Sequence, residues 1–560
     1  MESPPKIEYL TNPKIKGEKL PYIKNTKEIY ANLFEFKMTK PIKLYQYPFK
    51  VDPEIGEGDN QIRNKIYKYC GIGEKKKRKK LKDFYGECFI SGDSLYVVKE
   101  VKEMKTFDCK LYSDGINKYN ITFQPKSKER IINQEDLEKD LLTKQFIEMF
   151  QLHKTNYMKE AILIGGEKNP IDPTHTFDVL SKKDMKKWLC IYRTSNDKKT
   201  NNIIHKKAEN FYNTLSEASN EYKLKISEPN WIEMNEDDEV DEWINTVEDY
   251  MKKDKYSFIV FLLDDYDDIY KDLKVHSLCH NGYVSQVVKF NSLKKNAMSV
   301  CSKILLQINS KLSGVSSYML KLGDDIKKRK LMIIGVDSSH IKGKRTGVAM
   351  ASTINTSFTN FYNKEIIIYE SNKTQLQFCI SGFIKEALAQ YEDFNKKLPN
   401  GIIIYRQGAS FQQKEFLKKE VNNIQKICDD NKILYYYILV NTKTTYKFFE
   451  KNQNNYDNPK GGLLVLDGVT NRKFFEFYIQ PQKVTGGSAT PSCFHVAYGN
   501  LNFPEAIPKL TFDLCHLYSN WQGAVRVPHV LKSTEKLSKM TAKYTLEELN
   551  DNLKIGQSYL

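Results

Sequence analysis

The sequence predicts a multidomain α/β protein, and three observations lead to that prediction. A chain of 560 residues is long enough for two to four domains. From residue 185 onward, short apolar runs alternate with segments of helical periodicity, which is the pattern of parallel α/β units. The N-terminal part instead interleaves aromatic and apolar residues with polar ones, which predicts strands. We therefore expect an α+β N-terminal domain followed by two α/β domains.

Composition narrows the class of protein. The formal net charge is +17, and a basic surface attracts polyanions, of which nucleic acid is the usual one. An AT-rich coding bias toward Lys, Asn, Ile and Tyr explains the same excess, so charge alone leaves both explanations open. No run of 18 apolar residues occurs, so no membrane partner is expected, and the polar first 20 residues contain no secretory h-region. The ten cysteines are scattered without a C-x-x-C motif, which fits a reducing compartment.

The N-terminal third divides into three predicted parts. Residues 1–30 are polar and contain prolines, so we expect a flexible arm. The strand-like stretch 31–53 opens an N-terminal domain over 31–135. A linker is expected over 136–184, and helical periodicity predicts a helix at 142–158 within it.

A basic run, KKKRKK at 75–80, has three readings. It is a nuclear localisation signal, an RNA-contacting loop or a solvated loop. We expect the protein in the nucleus or the cytoplasm, and nuclear entry rests on this run alone.

The second domain, over 185–325, has the strand–helix alternation of a parallel sheet. Its predicted elements are strands at 185–194, 256–263 and 285–290 and helices at 266–277 and 292–312.

The third domain, over 326–560, begins with a strand that ends in an acid, Asp337. Two further strands follow closely, as in an antiparallel meander, and helices and strands then alternate. This is an RNase H-like order of elements. The later predicted elements are a helix at 374–395, a strand at 401–406, a helix at 411–428 and a strand at 432–440.

Several strings in these domains resemble one family. MIIGVDSSHIKGKRTGVAMASTIN and GIIIYRQGASFQQ resemble two signatures of the Piwi domain. LTFDLCHLYSNWQGAVRVP is the most specific match, and the chain ends in SYL, like the Tyr-Leu ends of Piwi proteins. The chain thus resembles a Piwi-clade Argonaute, with a composition like that of ciliate members. The resemblance implies an RNase H-like Piwi domain, a Rossmann-like MID domain at 185–325, and an N domain where LYQYPF and NPIDP match.

One part of the family pattern is missing from the sequence. NPIDPTHTF ends at 177 and MKKWLCIY begins at 185, whereas the family carries a PAZ domain and a second linker between such segments. The pocket that holds the 3′ end of a guide RNA is therefore expected to be absent.

The resemblance implies a pocket for the 5′ phosphate of a small RNA. Such a pocket needs cations and hydrogen-bond donors near a helix terminus, and an aromatic face for the first base. Tyr270 would stack on the first nucleotide, while Lys274 and Lys311 would pair with the phosphate. Gln286 would donate an amide, and the carboxylate of Leu560 would help Gln286 hold Mg²⁺ there. The alternatives are a vestigial pocket, an ordinary amphipathic helix and solvated lysines.

The resemblance also identifies the positions of the slicer tetrad. Cleavage by this fold uses two divalent ions about 4 Å apart, held by anionic oxygens. The four positions fall on Asp337, Gln375, Gln407 and Glu535. Two neutral amides replace two carboxylates, so we predict no catalytic metal pair and no cleavage. Asp337 is then a fold remnant that makes local hydrogen bonds.

Three functions remain open. The first is a non-cleaving adaptor that binds small single-stranded RNA and joins protein partners, among them a nuclease, in RNA processing or silencing. Lys443, Lys447 and Arg526 would contact the RNA backbone, which fixes register without reading sequence, although Arg526 could equally be a buried structural arginine. The second is an RNA-free scaffold that holds or stimulates a partner enzyme. The third is an endonuclease with an altered metal site that recruits acids such as Asp467.

Overall fold

The computed structural model describes residues 177–560 with short gaps, and separate stretches before them. The gaps are 184, 265–268, 319–325, 327, 342–343, 370–372, 410–413, 453–454, 467–468, 472–473, 485–486 and 522. The earlier stretches are 13, 25–37, 42–52, 88–91, 94–97, 120–123, 128–132 and 153–163. The basic run at 75–80 and Asp467 lie outside the described residues.

The chain divides into two compact units, 33–157 and the remainder. The described strands of the smaller unit form an antiparallel sheet around a long central strand, β2, in the order β3-β4-β2-β5, with β6 also on β2. They are β2 (Ile42–Asp52), β3 (Cys88–Ser91), β4 (Ser94–Val97), β5 (Asn120–Phe123) and β6 (Lys128–Ile132).

Two strands at the edges of the smaller unit correct the predicted boundaries. β1 (Asn25–Lys37) begins inside the predicted arm, because the alternation of NTKEIYANLFEFK already suits a strand from residue 25. β7 (His153–Leu163) lies in the predicted linker and includes the last residues of the helix predicted at 142–158. That helix is wrong from 153 onward: Ile162 and Leu163 pair with a strand of the large sheet, and this tertiary pairing overrides local periodicity.

The first part of the larger unit contains a four-stranded parallel sheet, in the order β10-β9-β11-β12. Apolar clusters cover both of its faces, as expected for a parallel sheet whose central strand, FIVFLL, is buried throughout. Its strands are β9 (Trp188–Arg193), β10 (Asn230–Met234), β11 (Phe258–Leu263) and β12 (Ser285–Lys289). Its helices are α1 (Lys198–Glu221), α2 (Val240–Lys253), α3 (Tyr270–Val275), which continues as a π-turn (His276–His280), and α4 (Ala297–Lys311), which follows a 3₁₀ turn (Phe290–Leu293). A ribbon of β8 (Phe177–Ser181) and β13 (Val315–Tyr318) flanks this domain.

The second part of the larger unit is built on a sheet with the order β16-β15-β14-β17-β18-β23-β22-β21, which continues through β7, β1, β19 and β20. The first three strands are antiparallel neighbours, whereas β14, β17 and β18 run parallel. The strands are β14 (Leu331–Ile341), β15 (Arg345–Thr353), β16 (Phe361–Ile368), β17 (Gly401–Gln407), β18 (Leu434–Asn441), β19 (Phe448–Asn452), β20 (Asn455–Asp457), β21 (Leu463–Val465), β22 (Glu476–Gln480) and β23 (Ser492–Gly499). This is the RNase H-like order that the sequence predicted.

Helices cover both faces of this sheet. The helices are α5 (Lys373–Asn395), α6 (Lys414–Asp430), α7 (Ile507–Leu514) and α8 (His529–Met540). One apolar cluster packs α5 and α6 on one face, and another packs α7 and α8 on the other. Short turns at Pro504–Ala506, Thr541–Thr545 and Asp551–Leu553 complete the chain. Among the described residues, no helix has the length and apolarity needed to span a membrane.

Two glycines let α8 lie against the sheet. A Cβ on Gly335 would sit 2.8 Å from the backbone nitrogen of Leu531, and one on Gly347 would sit 2.7 Å from the carbonyl oxygen of Ser538. Because no other residue fits so close to a helix backbone, these glycines fix the position of α8 over the end of β14. Residues of α8 contribute to both sites described below.

Candidate functional site

Two buried lysines meet at the edge of the four-stranded sheet. Lys274 Nζ, on α3, donates to the carbonyl oxygen and to Oγ of Ser285, each at 3.2 Å. Lys311 Nζ, at the end of α4, donates to the same carbonyl at 2.7 Å and to Oε1 of Gln286 at 2.9 Å. The structure thus brings three of the predicted phosphate ligands, Lys274, Gln286 and Lys311, into one pocket. Neither lysine pairs with a carboxylate in the part of the chain that the structure describes.

A third cation, Lys536 on α8 of the RNase H-like domain, is near enough for its charge to act on the pKa values of Lys274 and Lys311. Burial, together with the smaller effect of the Lys536 charge, lowers the pKa of Lys274 to about 7. Burial, Lys274 and Lys536 together hold the pKa of Lys311 well below its usual value. Burial likewise lowers the pKa of Lys536 to about 8. Sequence reasoning missed Lys536, although its place beside Glu535 on an amphipathic helix was a usable signal. The three lysines are called the cation pocket below.

An aromatic pair lies at the mouth of this region. The ring of Tyr270 meets that of Tyr544 edge to face, with 5.3 Å between centroids, and Lys543 Nζ lies 4.8 Å from the Tyr544 centroid. Tyr270 was predicted from the sequence, whereas Tyr544 and Lys543 were not. Both domains therefore supply the aromatic surface.

The C-terminal residue is buried between the same two domains. Leu560 packs in an apolar cluster with Leu278 of the π-turn and Leu537 of α8. The resemblance implied Mg²⁺ held by Gln286 and the Leu560 carboxylate. Oε1 of Gln286 instead accepts a hydrogen bond from Lys311, so a metal ion there would have to displace an ammonium group. The donor set does not suit Mg²⁺, which needs several hard oxygen ligands.

Three of the four predicted slicer positions, Asp337, Gln407 and Glu535, line a second site, a cleft of about 870 Å³ at the carboxyl ends of β14 and β17. Val336 and Arg406 are register partners, so Asp337 and Gln407 follow them at equivalent positions on adjacent parallel strands. Burial raises the pKa of Asp337, whose Oδ2 accepts a hydrogen bond from Ser538 at 3.1 Å. Oε1 of Gln407 is buried without a hydrogen-bond partner among the described residues.

At the third slicer position in the cleft, the carboxylate of Glu535 is paired with two lysines. Its Oε2 lies 2.8 Å from Lys532 Nζ and its Oε1 lies 2.5 Å from Lys539 Nζ. Burial raises the pKa of Glu535, but the two ion pairs lower it more, so the pKa lies below its usual value. With both carboxylate oxygens paired to lysines and a neutral amide at Gln407, the cleft does not fit a two-ion site. Among the described residues no group of three His, Cys, Asp or Glu side chains could hold a metal ion.

Of the remaining predicted residues, Lys443 lines this cleft, and Gln375, Lys447 and Arg526 are not among its described lining residues. Gln375 lies on the first turn of α5, and its side chain is outside the described residues. Lys443 is exposed and lines the cleft. Lys447 Nζ donates to Oγ1 of Thr490, and Nη2 of Arg526 donates to the carbonyl oxygen of Thr442 at 2.7 Å. Arg526 therefore makes a structural bond within the protein.

Comparison with known proteins identifies this architecture. The family model described as Piwi domain matches residues 257–545. The chain belongs to the Piwi-clade Argonautes. The match covers most of the RNase H-like domain, which is the chain's Piwi domain, and begins inside the four-stranded domain just before β11, so the MID domain expected at 185–325 stays a prediction.

Curated relatives and solved structures agree with this membership. The chain is 27% identical over 412 residues to the Piwi-like protein Ago3 of Bombyx mori, covering 71% of this chain and 43% of that protein. It is 27% identical over 391 residues to argonaute-3 of Drosophila melanogaster, covering 69% of this chain and 43% of that protein. The chain therefore spans less than half the length of these relatives. Its fold resembles that of Drosophila Piwi, with a TM-score of 0.67 and 15% identity over 96% of this chain and 100% of that one. The Kluyveromyces polysporus Argonaute solved with a guide RNA gives 0.60 and 15% over 76% of this chain and 56% of that one.

Proposed function

We propose that this chain binds a small single-stranded RNA by its 5′ phosphate in the cation pocket and does not cleave the strand with which that RNA pairs. The cation pocket is the observation that carries the proposal. Two buried lysines and a half-buried third, with no carboxylate partner in the described structure, are costly to keep in the folded protein, and a doubly charged phosphate supplies the missing anion. Each ammonium–phosphate hydrogen bond is charge-assisted and contributes about 1.5–3 kcal/mol.

The first nucleotide is proposed to stack at Tyr270, beside Tyr544. An aromatic face accepts any base, so this contact adds affinity with little sequence preference. Further along the strand, Lys443 is exposed in the cleft and available to a phosphate. Because the chain is expected to lack a PAZ domain, chemical changes at the RNA 3′ end should have little effect on binding.

The proposal of no cleavage rests on the chemistry of the cleft. A glutamine is neutral at every pH and cannot bridge two Mg²⁺ ions as a carboxylate does. At the third corner, Lys532 and Lys539 satisfy Glu535 without a metal ion. The chain therefore acts as an RNA-loaded adaptor, which brings its RNA to protein partners in RNA processing or silencing.

The test is to purify the native protein, extract its nucleic acid and label the 5′ ends before and after phosphatase treatment. Discrete short RNAs that accept label only after phosphatase are the expected result. The purified protein should also bind a 5′-phosphorylated RNA more tightly than the same RNA with a 5′ hydroxyl, and EDTA should leave that preference unchanged. Loss of the preference in EDTA would indicate that Mg²⁺ takes part in phosphate binding in the pocket. Absence of bound RNA would favour the RNA-free scaffold function.

The absence of cleavage has its own assay. The loaded protein is mixed with a fully complementary labelled RNA in Mg²⁺ or Mn²⁺, and a sample carrying Asp337→Asn sets the background. Cleavage above that background would overturn this half of the proposal and leave the phosphate pocket untouched.

A further inference from the structure

An exposed tryptophan lies on the RNase H-like domain next to helix α4 of the four-stranded domain. Trp521 is 47% exposed, which is high for a side chain that proteins usually bury. Lys303 Nζ, on α4, lies 5.2 Å from the centroid of its ring. The neighbouring residue, Asn520, accepts a hydrogen bond from Nε2 of Gln307 at 2.5 Å. Both contacts attach the tryptophan loop to α4.

The same face of α4 leads to the cation pocket. Lys303, Gln307 and Lys311 are spaced four residues apart, so their side chains follow one side of the helix. Lys311 is buried in the cation pocket, Gln307 is partly buried, and Lys303 is exposed. The face therefore runs outward from the proposed phosphate site to the indole of Trp521.

The length of this face matches a few nucleotides. Eight residues of α-helix rise about 12 Å, whereas a stacked strand rises about 3.4 Å for each nucleotide. A strand that follows α4 outward from the cation pocket would therefore reach Trp521 after about three or four nucleotides. The loop also holds its ring in place: a Cβ on Gly523 would lie 2.7 Å from Nε1 of Trp521, so the chain turns closely against the indole.

We propose that Trp521 is a stacking platform for one base of the bound RNA, three or four nucleotides from the 5′ phosphate. The proposal rests on the proposed function, because the phosphate in the cation pocket sets the position of the strand. Lys303 holds the ring by a cation–π contact and supplies a charge for the adjoining phosphate. Stacking of a base on an aromatic side chain contributes about 1–3 kcal/mol and tolerates any base, which suits a protein that carries many sequences.

The test is a length series of 5′-phosphorylated RNAs from one to eight nucleotides. Affinities are measured for the full chain and for Trp521→Ala, Trp521→Phe and Trp521→Leu. For RNAs longer than about four nucleotides, Trp521→Ala should weaken binding roughly 5- to 150-fold, which is the stacking contribution expressed as an affinity ratio. Binding of the one- and two-nucleotide RNAs should not change. Trp521→Phe should retain most of the affinity, and Trp521→Leu should behave like the alanine variant.

Abasic RNAs locate the base. An abasic site at the stacked position should weaken binding to the wild-type chain and have no further effect on Trp521→Ala, whereas abasic sites elsewhere should act on both proteins equally. Equal binding of all RNAs by the wild-type and alanine proteins would overturn the proposal, as would a leucine variant that binds like phenylalanine. Such results would assign the exposed indole to a protein partner.

Failure of the proposed function has a different signature. It appears as equal affinity for one-nucleotide RNAs with and without the 5′ phosphate, a comparison that Trp521 does not influence. A chain that binds none of these RNAs would overturn both proposals.

Discussion

The cation pocket and the cleft use the same helix, α8, but balance their charges in different ways. In the cleft, Glu535 is paired with Lys532 and Lys539, so this corner is neutralised within the protein. In the pocket, the charge of Lys536 acts on Lys274 and Lys311, and the described structure provides no carboxylate for any of them. Consecutive residues on an α-helix point about 100° apart, which is how Glu535 and Lys536 reach separate sites.

The difference indicates which site retains a ligand. Buried charges of one sign lower the stability of the free protein, and a site with no ligand has no reason to keep them. A carboxylate already paired with lysines needs no metal ion. This contrast supports the proposal that the pocket binds an anion and that the cleft does not hold two Mg²⁺ ions.

The largest expected effect comes from removing the pocket charges. Lys274→Met with Lys311→Met should weaken binding of a 5′-phosphorylated RNA at least about 100-fold, because two charge-assisted hydrogen bonds of about 1.5–3 kcal/mol each are lost. The same change should raise the melting temperature by about 2 °C, since two costly buried charges become apolar. Fluorescence anisotropy and thermal denaturation measure the two effects.

The matched control for this double change is Lys206→Met, which removes an exposed charge on α1. It should alter neither quantity measurably beyond the general effect of one surface charge. If the double variant melted lower and still preferred the 5′ phosphate, the pocket lysines would be structural, and the contrast between the two sites would fail.

The sequence predicted much of the fold and the residues that each site brings together, but it missed contacts that α8 adds to both sites. The apolar strands FIVFLL and GIIIYR could be located from the sequence, because burial on both faces needs continuous apolar residues. The resemblance named Lys274, Gln286 and Lys311, which lie together, and their binding of a phosphate stays a prediction. Lys536 and the pairing of Glu535 with Lys539 were missed, because they depend on how α8 packs across the sheet. The first residues of β7 were predicted as the end of a helix for a related reason: the partner strand of β7, β21, is some 300 residues away.

A buried acid outside both sites tests the same account of unpaired charge. Glu365 accepts a hydrogen bond from the backbone of Leu549, and its Oε2 has no partner among the described residues. Burial raises its pKa to about 7, so between its usual value and pH 7 the folded chain holds a proton that the unfolded chain releases. Stability from this group is therefore full at low pH and is lost as pH rises to about 7, a change of roughly 3 kcal/mol.

The measurement is the melting temperature from pH 5 to pH 8 for the wild-type chain and for Glu365→Gln. The glutamine is neutral throughout, so the wild-type chain should lose stability relative to the variant as pH rises. Parallel curves would show that burial without a counter-charge carries little penalty in this protein, which would weaken the argument from the cation pocket.

Restoring one acid to the cleft addresses the other half of the comparison. Gln407→Asp places a second carboxylate beside Asp337, and repulsion between them should lower the free energy of unfolding by about 2 kcal/mol at pH 8. Mg²⁺ should recover only part of this loss, because Lys539 still pairs with Glu535. Adding Lys539→Met should increase the recovery.

Melting curves with and without Mg²⁺ measure the recovery. A concentration of about 10 mM is an excess that saturates ordinary carboxylate sites. The wild-type chain is the control and should not respond. A wild-type melting temperature that rises with Mg²⁺ in this range would show that the cleft already binds the metal. That result would favour the endonuclease function over the non-cleaving adaptor.

The smallest effect is expected at Lys443, which is exposed in the cleft and proposed to contact a phosphate of the RNA. Lys443→Ala should reduce the salt dependence of RNA binding by about one ion contact and weaken affinity about fourfold at 0.15 M salt, as counterion release predicts for a single strand. Lys447→Ala is the matched comparison, because that ammonium group already donates to Thr490 within the protein. Binding measured from 0.05 to 0.5 M salt, a range of about one decade chosen to resolve the slope, should separate the two variants. Equal slopes of log affinity against log salt for both variants and the wild-type chain would mean that the bound RNA does not reach the cleft. Only the cation pocket and its immediate surface would then hold the RNA.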